Sequence, residues 1–128
     1  QTSTLFADQI SNTINSIDAT LRMAGHLLSD ESTHLNKLIE KNIISLEPLV
    51  LLTFVDKEGR AIETNMGIDP ERTFLGNRES VRVHLDGQAD GLFIGKPLIG
   101  RFSQTWVFHL SRKVLNPTGP CVACWSPQ

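Results

Sequence analysis

The N-terminal part of the chain carries the pattern that most constrains its fold. Apolar side chains recur every three or four positions, with polar side chains between them, at Phe6, Ile10, Ile14, Ile17, Leu21, Ala24 and Leu28. This spacing predicts one amphipathic helix over residues 1–28. At 1.5 Å per residue, such a helix is about 40 Å long, which is longer than a domain of this size requires. We therefore expect its first turns to project and to pack on something else.

The sequence period changes after Pro48. Residues 33–45 carry a second, shorter amphipathic pattern, and Pro48 prevents its continuation. The run Leu49–Val55 is continuously apolar and rich in β-forming residues, which predicts a buried central strand. A Gly-containing turn at 56–59 leads to residues 60–65, which predict a half-exposed strand paired with the first.

A short helix and three more strands complete the predicted order. Asn77 can cap a helix over residues 78–85. Strands are predicted at 92–99, 105–114 and 121–125, and tight turns separate them. This order predicts an α+β fold, in which a long N-terminal helix packs on a five-stranded antiparallel sheet. The last strand is short and apolar, so we expect it beside the first, in the centre of the sheet.

Length and composition indicate an ordinary globular domain. The 128 residues are enough for a single domain over residues 1–128, with the sheet core at 49–125, and 40% of them are hydrophobic. The net charge of −2, without a continuous basic patch, argues against a nucleic-acid partner. No stretch approaches 18 uncharged apolar residues, so the sequence predicts no membrane-spanning segment.

No catalytic or metal-binding motif is evident. The chain lacks G-x-S-x-G, a phosphate loop and H-E-x-x-H. Cys121 and Cys124 form one C-x-x-C pair, whereas a structural zinc site requires four ligands. A disulfide between these two positions of one strand would be strained, so we expect two buried free thiols. We predict no cofactor, no metal and no enzymatic activity for the domain itself.

Residues suited to ligand binding lie in the short helix. Arg78 is predicted near the helix start, where backbone amides and a guanidinium together attract an anion. A solvated or ion-paired arginine is the alternative. Ser80 and His84 are four residues apart and share a neighbouring helix face. His84 is equally compatible with a ligand contact and with a neutral histidine in the core.

Phe93 and Trp106 are the aromatic candidates for ligand contact on the strands. Strand alternation places Trp106 and His109 on opposite faces, so at most one of them can reach any one cavity. The alternation alone leaves open which face lines the pocket. Lys96 and Arg101, near the hairpin, are expected to be solvated.

These segments resemble the Cache-type, extracytoplasmic PAS-like (PDC) sensor domains. In that family, an acidic-Arg-x-Tyr-Phe helix precedes a strand like G-L-x-I-G-x-P, and a hairpin S-R-x-S-G-x-W leads into I-x-L-S-R-R. This chain has N-R-E-S-V-R-V-H at 77–84, G-L-F-I-G-K-P at 91–97 and G-R-F-S-Q-T-W-V-F-H-L-S-R-K at 100–113. The resemblance extends over nearly the whole chain.

The resemblance implies a periplasmic sensor domain of a bacterial inner-membrane receptor. Its output module would be a diguanylate cyclase, a histidine kinase or a chemoreceptor, of which we favour the first two. The long helix would follow a membrane anchor, transmit the signal and support a homodimer.

The resemblance also implies a small-molecule ligand, often a carboxylate or an amino acid, with Arg78 as a contact. Here Asn77 replaces the family's acid, and Ser80 and Val81 replace a common aromatic pair, so the resemblance does not name the ligand.

Two alternative functions fit the same sequence. The domain can serve as a dimerisation or spacer module without a ligand, with contacts along the apolar stripe of the first helix. It can also be a cytoplasmic PAS-like module. Hydrophobic segments flanking the domain in the full-length protein would exclude the cytoplasmic alternative.

Overall fold

Three helices and six strands make up the computed structural model, which describes residues 2–30, 32–66, 74–88, 91–99, 105–114 and 119–126. The helices are α1 (Thr2–Leu27), α2 (Leu35–Glu40) and α3 (Glu79–Leu85). The strands are β1 (Leu49–Val55), β2 (Ala61–Thr64), β3 (Phe93–Ile94), β4 (Leu98–Ile99), β5 (Trp106–Val114) and β6 (Gly119–Trp125).

The strands form one antiparallel sheet in the order β2-β1-β6-β5-β3, and β4 also pairs with β5. The predicted α+β fold, with a long helix packed on an antiparallel sheet, is confirmed. β6 lies in the centre beside β1, as its short apolar sequence predicted, and all of its residues are buried. Helices α1 and α3 pack on opposite faces of this sheet, which we call the α1 face and the α3 face.

The α1 face holds the main hydrophobic core. Buried side chains of α1 pack there against inward-facing residues of β1, β5 and β6. The α1 contribution is Ile17, Leu21 and Ala24, and the strand contribution is Leu52, Phe54, Leu110, Cys121, Ala123 and Trp125. Burial of each large apolar side chain stabilises the fold by roughly 1.5–3 kcal/mol. The period of the N-terminal sequence is thus explained by contact with this sheet.

Burial along the apolar stripe of α1 increases from Ile10 and Ile14 to Ile17, and the projection of its first turns stays a prediction. Leu5 is 63% exposed, whereas Ile17 is buried, and Ile10 and Ile14 pack partly against the core. The stripe expected to support a homodimer is therefore largely used within the chain. A dimer through α1 stays a prediction. Among the described residues, no helix is both long enough and apolar enough to cross a bilayer.

An ion pair joins α1 to the sheet. Arg112 Nε of β5 donates to Asp18 Oδ1 at 2.6 Å, and Arg112 Nη2 donates to Asp18 Oδ2 at 3.1 Å. The two side chains are 20% and 15% exposed, respectively. Arg22 lies one helical turn further along α1 and also approaches Asp18 Oδ2, at 3.2 Å. This pairing places Arg112 on the α1 face.

Helix α2 is shorter than the pattern over residues 33–45 predicted. It ends at Glu40, and Asn42 has a positive φ of 58°, which leaves the helical conformation. Its first turn is stabilised by Glu63 of β2, whose Oε1 accepts a hydrogen bond from the Leu35 backbone N–H at 2.7 Å. This carboxylate is distant in sequence, so local capping signals did not reveal it.

The predicted cap of α3 is wrong. The N-cap residue is Arg78 rather than Asn77, and no side chain caps the helix. The backbone carbonyl of Arg78 accepts the N–H groups of Val81 and Arg82 at 3.1 and 2.8 Å. Arg78 is therefore held by the start of the helix, while its own backbone is extended, with φ −81° and ψ 141°.

The strand predicted over residues 92–99 is divided into β3 and β4. Ile94 pairs with Leu110, and Leu98 pairs with Val107. Between these two pairs, the segment from β3 to β4 therefore contains one residue more than β5. One extra residue in an antiparallel pair is a β-bulge. Pro97 lies within it and has no N–H to donate to the ladder. The Gly95 N–H still donates to the His109 carbonyl at 2.9 Å, so regular pairing ends after Gly95.

Candidate ligand-binding cleft

A cleft of about 230 Å³ opens on the α3 face, between the start of α3 and the edge of the sheet. Its walls come from α3, from the bulge between β3 and β4, and from β5. The lining residues are Arg78, Glu79, Ser80, Gly95, Lys96, Leu98 and His109. Three separate segments of the sequence thus meet at one site, and each of them carries at least one residue that was predicted to contact a ligand.

A small apolar cluster holds α3 in place beside the cleft. Val81 packs there with Val55 of β1 and Val122 of β6, and Leu75 and Leu85 cover the cluster. The helical period of α3 places Val81 toward the sheet, so the preceding residues Arg78 to Ser80 reach the cleft. The position of the candidate ligand residues therefore depends on the packing of this short helix.

His84 anchors α3 to β5 by a buried hydrogen bond. Its Nε2 lies 3.0 Å from Ser111 Oγ, and both side chains are buried. This burial fits the core position, one of the two roles that the sequence left open for His84, and a ligand contact by His84 stays a prediction. His84 also borders a second, smaller cleft of about 170 Å³, together with Lys57 and Lys113, rather than the cleft at Arg78.

Arg78 is a cation without an acidic partner among the described residues. No carboxylate of this part of the chain lies within ion-pair distance of its guanidinium. Its charge acts instead on two residues of the sheet, His109 and Cys124, which are direct cross-strand partners of β5 and β6. The guanidinium therefore lies over the α3 face of the sheet.

The electrostatic environment of the cleft disfavours protonated histidine. Burial, and secondarily the positive charge of Arg78, lower the pKa of His109 below its ordinary value of 6.5. The imidazole is neutral at pH 7, so it offers one donor and one acceptor to a ligand. Burial raises the pKa of Cys124 to about 11, and the charge of Arg78 opposes that shift. This thiol is protonated and unreactive at neutral pH.

The structure brings some of the predicted site residues together and separates others. Arg78 and Ser80 both line the cleft. Phe93 pairs directly with Ser111, which places its ring on the same α3 face, beside Gly95. Trp106 lies on the same side of β5 as Phe108, which packs against the core of the α1 face. The Trp106 side chain is 53% exposed and does not line the cleft that Arg78 and Ser80 line.

The cleft also contains residues that sequence reasoning did not assign to it. Lys96 is exposed, as expected, and it also lines the cleft because the bulge changes its direction. His109 was recognised as lying opposite Trp106, yet alternation alone could not decide which face meets α3. Glu79, at the first turn of α3, completes the charged lining. Which of these residues face the cleft is decided by the position of α3 on the sheet.

The described residues include no metal site. No three His, Cys, Asp or Glu side chains converge within this part of the chain. Cys121 and Cys124 are buried free thiols, as predicted from their spacing. They lie on opposite faces of β6, since Cys121 belongs to the core of the α1 face and Cys124 pairs with His109.

Comparison with known proteins identifies the fold. No protein-family model and no curated protein matches the chain. Solved structures do match. The extracellular domain of a histidine kinase aligns with a TM-score of 0.66 and 19% identity, over 91% of this chain and 51% of that one.

Two chemoreceptor domains are also similar. The ligand-binding domain of the Pseudomonas aeruginosa PAO1 amino acid chemoreceptor PctC, in complex with GABA, gives a TM-score of 0.60 at 15% identity, over 100% of this chain and 63% of that one. The ligand-binding domain of the Campylobacter jejuni chemoreceptor Tlp3, in complex with 4-methylisoleucine, gives 0.58 at 11% identity, over 93% and 53%.

The chain therefore has the fold of extracytoplasmic ligand-binding sensor domains, and its resemblance to the PAS-like (PDC/Cache) sensors is confirmed at the level of fold. It spans between 51% and 63% of the length of these structures.

Proposed function

We propose that this chain is a periplasmic sensor domain of a membrane-anchored receptor, and that it binds a small carboxylate in the cleft at Arg78. The output module that we propose is a histidine kinase or a diguanylate cyclase. The observation that carries the proposal is a guanidinium in a concave site with no acidic partner among the described residues. The similar domains of a histidine kinase and of two chemoreceptors support it, since two of them are named as complexes with an amino-acid-type ligand.

The lining of the cleft is suited to a carboxylate. A guanidinium can donate two parallel hydrogen bonds to a carboxylate, which provides both energy and orientation. The Ser80 hydroxyl and the neutral imidazole of His109 can each donate one more hydrogen bond. A cleft of about 230 Å³ is smaller than the roughly 300–1,000 Å³ of pockets for drug-sized ligands. The proposed ligand is therefore a compact molecule.

Strand β5 connects the cleft to the helix that we propose transmits the signal. His109 and Ser111 of this strand lie on the α3 face, and Arg112 reaches α1 on the other face. A ligand shifts a conformational equilibrium only if it binds one arrangement more tightly than the other. We propose that carboxylate binding changes how β5 lies against α1, through the pair of Arg112 and Asp18.

A thermal-shift screen tests the proposed binding site. The panel contains short carboxylates, amino acids and amines, and the variants are Arg78→Met and the control Arg82→Met. Arg82 is on the same helix, is 55% exposed and pairs with Asp86 at 3.3 Å. We expect at least one carboxylate to raise the Tm of the wild type and of Arg82→Met but not of Arg78→Met. If no carboxylate shifts the wild type at millimolar concentration, or Arg78→Met retains the shift, the proposal is wrong.

A dimerisation module is the second candidate, and the exposed Leu5 in the first turns of α1 favours it. The Leu5 side chain is 63% exposed. If the domain serves only this purpose, Leu5→Gln will convert a dimer to a monomer in sedimentation equilibrium, and no panel compound will bind. A dimer that also binds a carboxylate supports the sensor proposal instead.

A further inference from the structure

Lys96 reaches the cleft because of the bulge between β3 and β4. Regular alternation would place Lys96 on the face opposite Gly95, yet both residues line the same cleft. The extra residue between Ile94 and Leu98 accounts for this, because a bulge redirects the side chains that follow it. Leu98 also lines the cleft, so the bulge turns a short segment toward α3.

The bulge brings a second cation to the site of Arg78. Among the described residues, neither Arg78 nor Lys96 lies within ion-pair distance of a carboxylate. Glu79 is the one acidic residue of the lining. Two cations and one carboxylate, with His109 neutral, leave the lining with a net charge of +1. The repulsion between the two cations is relieved by a ligand that presents a negative group to each of them.

We propose that Lys96 is a specificity-determining residue and that the cleft takes a short-chain dicarboxylate, with one carboxylate on Arg78 and the other on Lys96. The inference rests on the proposed function of this cleft as a carboxylate site. The two cations differ in their roles. Arg78 provides planar, bidentate recognition of one carboxylate, whereas Lys96 provides a mobile point charge for the second. Because Lys96 is exposed, its contribution is screened by salt.

Isothermal titration calorimetry with matched acids tests this specificity. The pairs are succinate with butyrate and glutarate with pentanoate, which have equal chain lengths and differ by one carboxylate. The wild type is expected to bind the better diacid roughly tenfold or more tightly than its monoacid partner at low ionic strength. Lys96→Met is expected to reduce that preference to about twofold or less without weakening the monoacid. Lys96→Arg is expected to retain the preference.

Lys113→Met is the matched control, since this exposed lysine borders the other cleft. It should leave the diacid preference unchanged. The inference is overturned if the wild type binds diacid and monoacid equally, or if the preference persists in Lys96→Met. In that case, loss of monoacid binding in Arg78→Met would still support the carboxylate site itself. If none of the four acids binds at millimolar concentration, the inference fails, and the wider thermal-shift panel alone decides the proposed carboxylate site.

Discussion

The ion pair between Arg112 and Asp18 provides the strongest test of how α1 is attached to the sheet. The perturbation is Arg112→Met, which removes the charge and keeps a flexible apolar side chain of similar length. Breaking a fully buried ion pair costs roughly 3–5 kcal/mol, whereas exposed pairs contribute about 0–1 kcal/mol. At 20% and 15% exposure, Arg112 and Asp18 lie nearer the buried limit.

The neighbouring Arg22 lowers the expected cost. It stays 3.2 Å from Asp18 Oδ2, so Arg112→Met does not leave Asp18 without a counter-charge. We therefore expect Arg112→Met to lower the free energy of unfolding by about 2 kcal/mol, which corresponds to a Tm lower by roughly 5–10 °C. Urea denaturation followed by far-UV circular dichroism measures this quantity.

A double-mutant cycle separates the ion pair from other effects of the substitutions. Asp18→Asn and the double variant complete the cycle, and we expect a coupling free energy of about 1–2 kcal/mol. Arg82→Met serves as the control, because Arg82 pairs with Asp86, the exposed C-cap residue of α3, and this change should cost at most about 0.5 kcal/mol.

Hydrogen exchange locates the consequence of breaking the pair. In Arg112→Met, amides of α1 around Asp18 should lose protection before those of β6, because the ion pair holds the helix and not the central strand. A coupling below about 0.5 kcal/mol, or equal loss of protection in α1 and β6, would refute the reasoning that this pair attaches α1.

Three further predictions concern backbone conformation and titration. Gly119 has a φ of 149°, and an added Cβ would lie 2.0 Å from a backbone oxygen of β1. Gly119→Ala should therefore destabilise the fold by about 3 kcal/mol or more in urea denaturation, whereas Gly91→Ala, which meets no atom within 4 Å, should cost far less. Because burial raises the pKa of Cys124 from 9.0 to about 11, the folded state retains its thiol proton more tightly than the unfolded state. Stability should fall by up to about 1.4 kcal/mol per pH unit as the pH rises from 9 toward 11, and Cys124→Ala should make that loss shallower. The pKa of His109 is lowered, so its contribution to stability is retained above pH 6.5 and lost as the pH falls below that value. In an NMR titration, Arg78→Met should raise this pKa only part of the way to 6.5, since burial is the larger cause.

The strand predictions illustrate how far local sequence can reach. The apolar runs at β1 and β6 predicted buried strands in the centre of the sheet. When both faces of a strand are buried, the side chains that point to either face are apolar, so the apolar run is continuous. The single strand predicted at 92–99 was wrong because the pattern of side chains does not show a bulge. Pro97 was the local signal for it, since a residue without an N–H cannot continue the ladder.

The site was predictable in part. Arg78 and Ser80, two of the predicted ligand residues, line the cleft, and Lys96 is exposed as expected but also lines it. Trp106 was equally plausible from its residue type, but its place in the strand puts it on the α1 face, away from the cleft. Ligand contact by Arg78, Ser80, His84, Phe93 and Trp106 stays a prediction, and binding experiments with single variants are its test.

Local periodicity and turn residues were enough to predict the long helix, the short helix after Arg78 and the central strands. The contacts between residues that are distant in sequence follow only from the tertiary structure. Asp18 and Arg112 are 94 residues apart, and Glu63 stabilises a helix that begins 28 residues before it. Lys96 joins Arg78 only through a bulge and the packing of α3 on the opposite face from α1. Such pairings arise from the packing of segments that are distant in sequence, which no local pattern shows.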